Sequence, residues 1–265
     1  MVQRTITAIT GAASGIGQAL AEMALQRGHL LALSDLNLEA LLQWRDQKGL
    51  SNEQCLVHRV DVSSLSEVQQ WRDDIDTSFG GVDIIINNAG IALIANADVQ
   101  SNEAIARVMD VNFWGVVNGS KAFLPLLRRS TDPHLVNISS IFGLISVPSQ
   151  SAYNASKFAV RGYTEALRQE LAAEAIHVCC VHPGGIKTNI ARSATILNSD
   201  TNSEQAAADF DTMAPSTPAQ AATTIFRAID QRAPRCLIGR DAQWVSLIAR
   251  LFPVSYPRWL SWFQK

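Results

Sequence analysis

Short, continuously apolar runs separated by longer stretches of helical periodicity set the rhythm of this chain. Seven runs read as strands: Thr5 to Thr10, Leu30 to Ser34, Cys55 to Val60, Asp83 to Asn87, Leu135 to Ser139, Val178 to Val181 and Cys236 to Ile238. Continuous apolar runs suit strands buried on both faces of a parallel sheet, whereas one-sided antiparallel strands would alternate apolar with polar. Between the third and fourth runs, Val68, Trp71, Ile75 and Phe79 recur at helical spacing behind Ser64 and Glu67, a candidate capping box. Strand, helix, strand units with right-handed crossovers predict an α/β fold: a doubly wound, seven-stranded parallel sheet flanked by helices on both faces. No Pro/Gly/Ser-rich linker or internal repeat divides residues 1–265, so one domain is expected.

Two segments break the rhythm. Residues 189–215 are rich in Ser, Thr, Asn and Ala and are longer than an ordinary loop, which predicts a substrate lid. Residues 241–265 hold three of the six tryptophans, Trp244, Trp259 and Trp262, and place Trp244, Leu247, Ile248 and Leu251 on one helical face. That face needs a cover, either a subunit interface or pocket wall or, with Arg240, Arg250, Arg258 and Lys265 nearby, a peripheral membrane contact.

Composition narrows the picture. A hydrophobic content of 47% supports a large core, and the formal net charge of −2, with Lys and Arg dispersed, gives no footprint for nucleic acid. Cys55, Cys179, Cys180 and Cys236 lack CxxC or His-paired metal spacing, which suggests a reduced cytoplasmic setting and no metal site. The N-terminus enters a strand directly, without the pattern of a signal peptide, and no apolar stretch reaches membrane-spanning length.

Chemistry enters with the turn after the first strand, Thr10 to Gly17. Gly11 would permit the tight turn, Gly15 the close approach of phosphates, and Gly17 close packing of helix on strand. Ser14 and Ile16 lie at the helix start, where free N–H groups and the dipole favour a pyrophosphate. Asp35 stands 18 residues beyond Gly17, at the end of the second strand, where it could accept hydrogen bonds from ribose hydroxyls and repel a 2′-phosphate. No Arg or Lys in the turn or immediately after Asp35 offsets that repulsion, so NAD is expected over NADP. Asp61 and Val62 could border the adenine, with helix capping by Asp61 or Ser63 the other reading.

Asn87, Asn88, Ala89 and Gly90 follow the fourth strand at the ligand-binding edge of such a sheet. Ser139 and Ser140 end the fifth, and Tyr153 and Lys157, four apart, share one face of a helix. With TGxxxGIG, NNAG, Ser140 thirteen residues before Tyr153, YxxxK, and Pro183, Gly184 to Thr188 in order, the chain resembles the short-chain dehydrogenase/reductase family over about Thr5 to Gly239. The glycine pattern is similar to the family's compact, single-domain branch.

The resemblance implies a Rossmann-type fold, with Tyr153 as general acid/base and Lys157 binding the nicotinamide ribose and lowering the tyrosine pKa. It also implies Ser140 polarising the substrate oxygen and Asn112 holding a water that joins Lys157 to solvent. Thr188 would bond the nicotinamide amide or phosphates, with Ile186 packed nearby and Asn87 to Gly90 supporting the sheet beside the cofactor. It further implies a homodimer or homotetramer. The physical requirement stands apart from the family: a phenol near pKa 10 is a poor base at neutral pH and needs cationic neighbours.

Ile91, Leu93, Ile94, Ile141, Phe142, Ile145, Pro148 and Gln150, with Ile190, Ile196, Leu197, Phe210 and Met213 from the lid, are candidate pocket walls. Such walls suit a hydrophobic secondary alcohol or ketone, cyclic, aryl or steroid-like. The alternatives are an NADP-dependent carbonyl reductase and a non-catalytic nicotinamide-binding regulator.

Overall fold

A computed structural model describes residues 4–188, 194–196 and 216–260. Seven strands form one parallel sheet: β1 (Ile6–Thr10), β2 (Leu30–Asp35), β3 (Cys55–Arg59), β4 (Ile84–Asn87), β6 (His134–Ile138), β7 (His177–Pro183) and β9 (Arg235–Ile238). Their spatial order is β3-β2-β1-β4-β6-β7-β9, every neighbour parallel. All seven expected strands are present, with ends shifted by one or two residues. Asp83 lies outside β4 because its carboxylate accepts from the Ile6 N–H (2.8 Å) and the Ser130 hydroxyl (2.5 Å).

Successive residues along each strand face opposite layers, and the helices cover both. On one face, Ile9, Leu31, Leu33, Ile84, Ile86 and Val181 pack against α1 (Gly15–Gln26), α2 (Leu38–Gln47) and α7 (Pro218–Asp230). On the other, Ile6, Ala8, Ala32, Ile85 and Leu135 pack against α3 (Leu65–Phe79), α5 (Gly115–Leu127) and α6 (Ser151–Glu170). Trp71 and Phe123, both fully buried, meet edge to face at 5.1 Å between centroids in the second layer. The order turns back between β1 and β4, so the loops after these strands diverge and leave a crevice at the carboxyl edge of the sheet.

Two features depart from the sequence expectation. The Ser64 hydroxyl does cap α3, accepting from the Glu67 N–H at 3.4 Å, but the Glu67 carboxylate accepts from the Asp61 N–H (2.9 Å) instead of closing the box. A second, two-stranded sheet joins β5 (Leu93–Ile94) to β8 (Thr195–Ile196). Ile196 is thereby placed beside Ile94, whereas the lid residues Ile190, Leu197, Phe210 and Met213 lie outside the described residues, as do Trp262 and Lys265 and the side chain of Trp259.

After β9 the chain forms α8 (Arg240–Leu251) and α9 (Tyr256–Leu260). On α8, Trp244, Leu247 and Leu251 are 65%, 47% and 61% exposed in the single chain. No described helix is long and apolar enough to cross a membrane.

Candidate active site

The crevice begins at the turn between β1 and α1. Gly11 and Gly15 have φ of +66° and +55°, a region that favours glycine. A Cβ on Gly17 would lie 2.0 Å from the Gly11 carbonyl oxygen, so helix and turn can approach this closely only without one. Ser14 stands at the N-cap of α1 without using its side chain as a cap, which leaves the N-terminal donors of that helix for an outside acceptor. The turn is tied to the loop after β4: the Thr10 hydroxyl accepts from the Asn88 and Ala89 N–H groups, both at 3.0 Å, and the Asn88 amide donates to the Thr10 and Gly11 carbonyls.

Asp35 ends β2 beside this turn. One carboxylate oxygen accepts from the Ala13 N–H at 3.1 Å and the other from the Asn37 N–H at 3.0 Å, and no cation pairs with it among the described residues. Asp61 sits differently. Burial opposes its charge, but the Ser63 hydroxyl and N–H and the Arg107 guanidinium (3.4 Å) outweigh burial and hold its carboxyl below the usual range. Ser64, not Asp61 or Ser63, is the helix cap. Val62 accepts at its carbonyl from the Asn118 amide, at 2.9 Å.

The catalytic candidates converge from three elements. Ser140 lies just past β6 and caps a 3₁₀ turn, Ile141–Gly143, its hydroxyl accepting from the Phe142 N–H at 3.1 Å. The same side chain faces the Tyr153 phenol on α6 and favours its ionised form. Ser139 points elsewhere, its hydroxyl donating to the Lys157 carbonyl at 2.8 Å. One turn beyond Tyr153, the Lys157 ammonium donates to the Ile138 carbonyl (3.1 Å) and lies 5.7 Å from the centre of the tyrosine ring.

Tyr153 and Lys157 are both buried, and burial dominates both titrations. It pushes the phenol up to about 12, against the opposing influence of the Ser140 side chain, and brings the ammonium down to about 8. Within the protein, burial raises the phenol more than the Ser140 side chain lowers it. The ammonium faces the ring and bonds to a carbonyl, so desolvation of the phenolate prevails.

Asn112 sits in a π-helical segment, Asp110–Trp114, between α4 (Asn102–Met109) and α5. Its amide makes three bonds: it accepts from the Ile91 N–H (2.8 Å) and donates to the Ile91 carbonyl (2.9 Å) and the Ser156 hydroxyl (3.0 Å). It thus clamps the loop after β4 onto α6. Gly90 lies between these groups, since a Cβ there would stand 3.1 Å from the Asn112 oxygen and 3.4 Å from the Lys157 nitrogen.

On the far side, Pro183 ends β7 and the Gly184 N–H donates to the Ile238 carbonyl at 2.9 Å. The Thr188 methyl would be 3.3 Å from a Cβ on Gly15, so this loop reaches back across the crevice to the glycine turn. Ile186 is buried in the core layer of α1 and α7. Of the expected walls, Leu93 and Ile145 are almost wholly buried; Leu93 packs with Ala95, Val108 and Ala152 as core. Phe142 meets the Tyr153 ring edge to face at 6.2 Å.

Several contributors escaped the sequence reading. Asp241, at the start of α8, accepts from the Gly185 N–H at 2.8 Å and so braces the loop after β7 from 56 residues away. His182 is fully buried, and its Nδ1 lies 3.0 Å from the Ser140 carbonyl oxygen. Beneath the site, the Asn87 amide donates to Asn137 (2.8 Å), whose amide donates to Thr164 (3.0 Å). Asn137 was visible only as a polar residue inside an apolar strand run, and His182 only as the residue following one.

Comparison with known proteins agrees with this architecture. The family model described as short chain dehydrogenase matches residues 5–197. A Mycobacterium tuberculosis protein named SadH, provisionally described as an oxidoreductase, is 46% identical over 257 residues, covering 96% of this chain and 92% of its own. The 3-ketodihydrosphingosine reductase of Bacteroides thetaiotaomicron is 36% identical over 195 residues, or 74% of this chain and 69% of its own. Among solved structures, a short-chain dehydrogenase/reductase from Burkholderia phymatum in complex with NAD superposes with a TM-score of 0.83 at 29% identity, covering 94% of this chain and 95% of that one. The chain belongs to the short-chain dehydrogenase/reductase family. With that membership come oxidoreductase chemistry on CH–OH groups and a nicotinamide cofactor.

Proposed function

We propose that the protein transfers hydride between NAD(H) and a hydrophobic secondary alcohol or ketone, with Tyr153 as general acid/base. The observation that carries this reading is the buried Tyr153 phenol with the Ser140 side chain facing it and the Lys157 ammonium 5.7 Å from the centre of its ring. The groups around the crevice suit a dinucleotide: uncapped N–H groups at Ser14 to Gly17 for a pyrophosphate, the Asp35 carboxylate for ribose hydroxyls, and Thr188 over the turn. Asp61, Val62 and Asn88 to Gly90 would border the adenine side and the middle of the cofactor, and Pro183, Gly184 and Ile186 the nicotinamide side.

When bound, the nicotinamide would supply or take up the hydride. Ser140 would donate a hydrogen bond to the substrate oxygen while Tyr153 gives its proton to that oxygen during reduction and recovers it during oxidation. A phenol near 12 holds its proton at neutral pH and so has one to give during reduction, while the phenolate that oxidation needs is scarce. Oxidation therefore needs added positive charge next to Tyr153, which Lys157 and an oxidised nicotinamide would bring together. Asn112, by fixing Ile91 and Ser156, would hold the surround of Lys157 and leave its backbone to anchor a proton-relaying water.

Apolar candidates Ile91, Ile94, Ile141, Phe142 and Ile196 would line the substrate side, and a relative is named for reducing a ketone. The test is initial rates with NAD and NADP at equal concentration over a panel of cyclic, aryl and steroid alcohols. We expect turnover of an apolar member with NAD favoured; a higher kcat/KM with NADP would overturn the role given to Asp35. A homodimer or homotetramer in the cytoplasm is the expected setting.

A further inference from the structure

The surface formed by α8 and the turn after it is unlike the rest of the molecule. Trp244, Leu247 and Leu251 recur at helical spacing on one side, and the turn adds Phe252 and Val254, 42% and 91% exposed. Arg240 projects at the head of the same stripe and Arg250 at its flank. Ala242, on the opposite side, is fully buried against the body. The acidic residue of this helix does not dilute the positive charge outside, because Asp241 turns inward to the Gly185 N–H.

Charge is segregated in the same way. Residues 240–265 contain four basic side chains, Arg240, Arg250, Arg258 and Lys265, and one acidic one, Asp241, for a net +3. The whole chain is −2, so the remainder is −5. Next to α8, Arg235 feels the charges of both Arg161 and Arg250, with Glu165 the carboxylate among them. A basic, aromatic-bearing stripe on an acidic body is the pattern of a helix that lies in the interface of an anionic bilayer. A two-fold contact through this stripe would instead set Arg240 and Arg250 of two copies against each other, with the nearest carboxylate turned away.

We propose that α8 and the Phe252–Val254 turn dock the protein on an anionic lipid surface, with the aromatic and aliphatic stripe entering the interface and Arg240 and Arg250 at the headgroups. The segment is bonded to both rims of the catalytic crevice. Asp241 holds the Gly185 loop, and the Tyr256 hydroxyl oxygen accepts from the Ser146 N–H (2.9 Å), six residues after Ser140. Docking would therefore bring the mouth of the crevice close to the bilayer.

The test is cosedimentation of the full chain with vesicles of phosphatidylcholine alone or with about one third phosphatidylglycerol, alongside molar mass by light scattering. Binding only to the anionic vesicles is expected, weakened at least fivefold when salt rises from about 0.1 to 0.5 M. Trp244→Ser with Leu251→Ser should reduce the bound fraction at least about tenfold, and Arg240→Ser with Arg250→Ser should reduce it severalfold, at unchanged circular dichroism. Because the arginines are exposed, the second pair reads the proposal even if the first unfolds. No binding by the wild type, equal binding to neutral vesicles, or full binding by the arginine pair would overturn it. So would a wild-type dimer that the Trp244 and Leu251 changes split while vesicle binding is absent, since a second copy would then be the cover.

Discussion

The two edges of the sheet handle buried polar groups in opposite ways. At the amino edge they are satisfied: the buried His134 meets the exposed Asp132 (3.1 Å), itself paired with Arg232 (2.6 Å), and meets the buried His177 through their Nδ1 atoms (2.9 Å). His177 in turn reaches the Ala233 carbonyl (3.0 Å), and both oxygens of Asp83 are engaged. At the carboxyl edge, the Lys157 ammonium has a carbonyl partner but no carboxylate, and the buried Nε2 of His182 has no partner, among the described residues. Burial holds Tyr153 and Lys157 far from their ordinary titrations. The amino edge spends its polar groups on the fold, while the carboxyl edge keeps them at a cost in stability that only a reaction would justify.

The sharpest way to break that comparison is Tyr153→Phe, which leaves the ring packed and removes the proton. A rate loss on the order of 10³-fold is expected, with no loss of melting temperature. A variant that keeps the wild-type rate would make the carboxyl edge merely structural.

Acid addresses both edges at once. Burial brings the His182 imidazole down to about 4, and burial together with the neighbouring His134 does the same for His177. Both stay neutral in the fold while the unfolded chain takes up protons from about pH 6.5 downward, so stability is complete above that pH and lost between 6.5 and 4. The slope is at most about 1.4 kcal/mol per pH unit for each histidine. Urea unfolding followed from pH 7 to 4.5 should show it, and His182→Asn and His177→Asn should each remove their own share.

Lys157→Met sharpens the contrast from the other side. An ammonium lowered to about 8 is disfavoured by the fold throughout the range below pH 8, and that penalty is relieved as pH rises from 8 toward 10.5. Replacing it with an apolar chain should raise stability at pH 7 by about 2 kcal/mol while lowering turnover about 100-fold or more. At pH 10 the stability gain should largely vanish, and the comparison of melting temperatures at the two pH values checks the sign.

How far the sequence revealed these edges depends on the kind of signal. The seven strands and the glycine turn were legible because burial on two faces and positive φ leave local marks, and the Ser140–Tyr153 approach followed from spacing within a known pattern. β5 and β8 were not legible, since two-residue strands carry no periodicity. Glu67 bonding to Asp61, Asp241 to Gly185 and Asn137 to Thr164 depend on side-chain partners that only the folded chain brings together. His182 lay just beyond the Val178 to Val181 run and joins the strand only in the structure.

His182 gives the smallest and most specific test of the carboxyl edge. The ladder between β6 and β7 ends in main-chain terms where the Ser139 N–H donates to the Val181 carbonyl at 2.8 Å. The next carbonyl, that of Ser140, is met by the His182 ring, so the imidazole prolongs the ladder by one bond beneath the serine that contacts Tyr153. A neutral ring with its proton on Nδ1 can donate there, and its pKa near 4 keeps it neutral. His182→Leu should therefore loosen Ser140 and lower kcat about tenfold, with cofactor affinity unchanged. His182→Asn, which retains a donor, should recover part of that loss. If both variants instead lose cofactor binding in parallel with stability, the ring packs the strand end without aligning Ser140, because a bond that positions one hydroxyl would act on turnover alone.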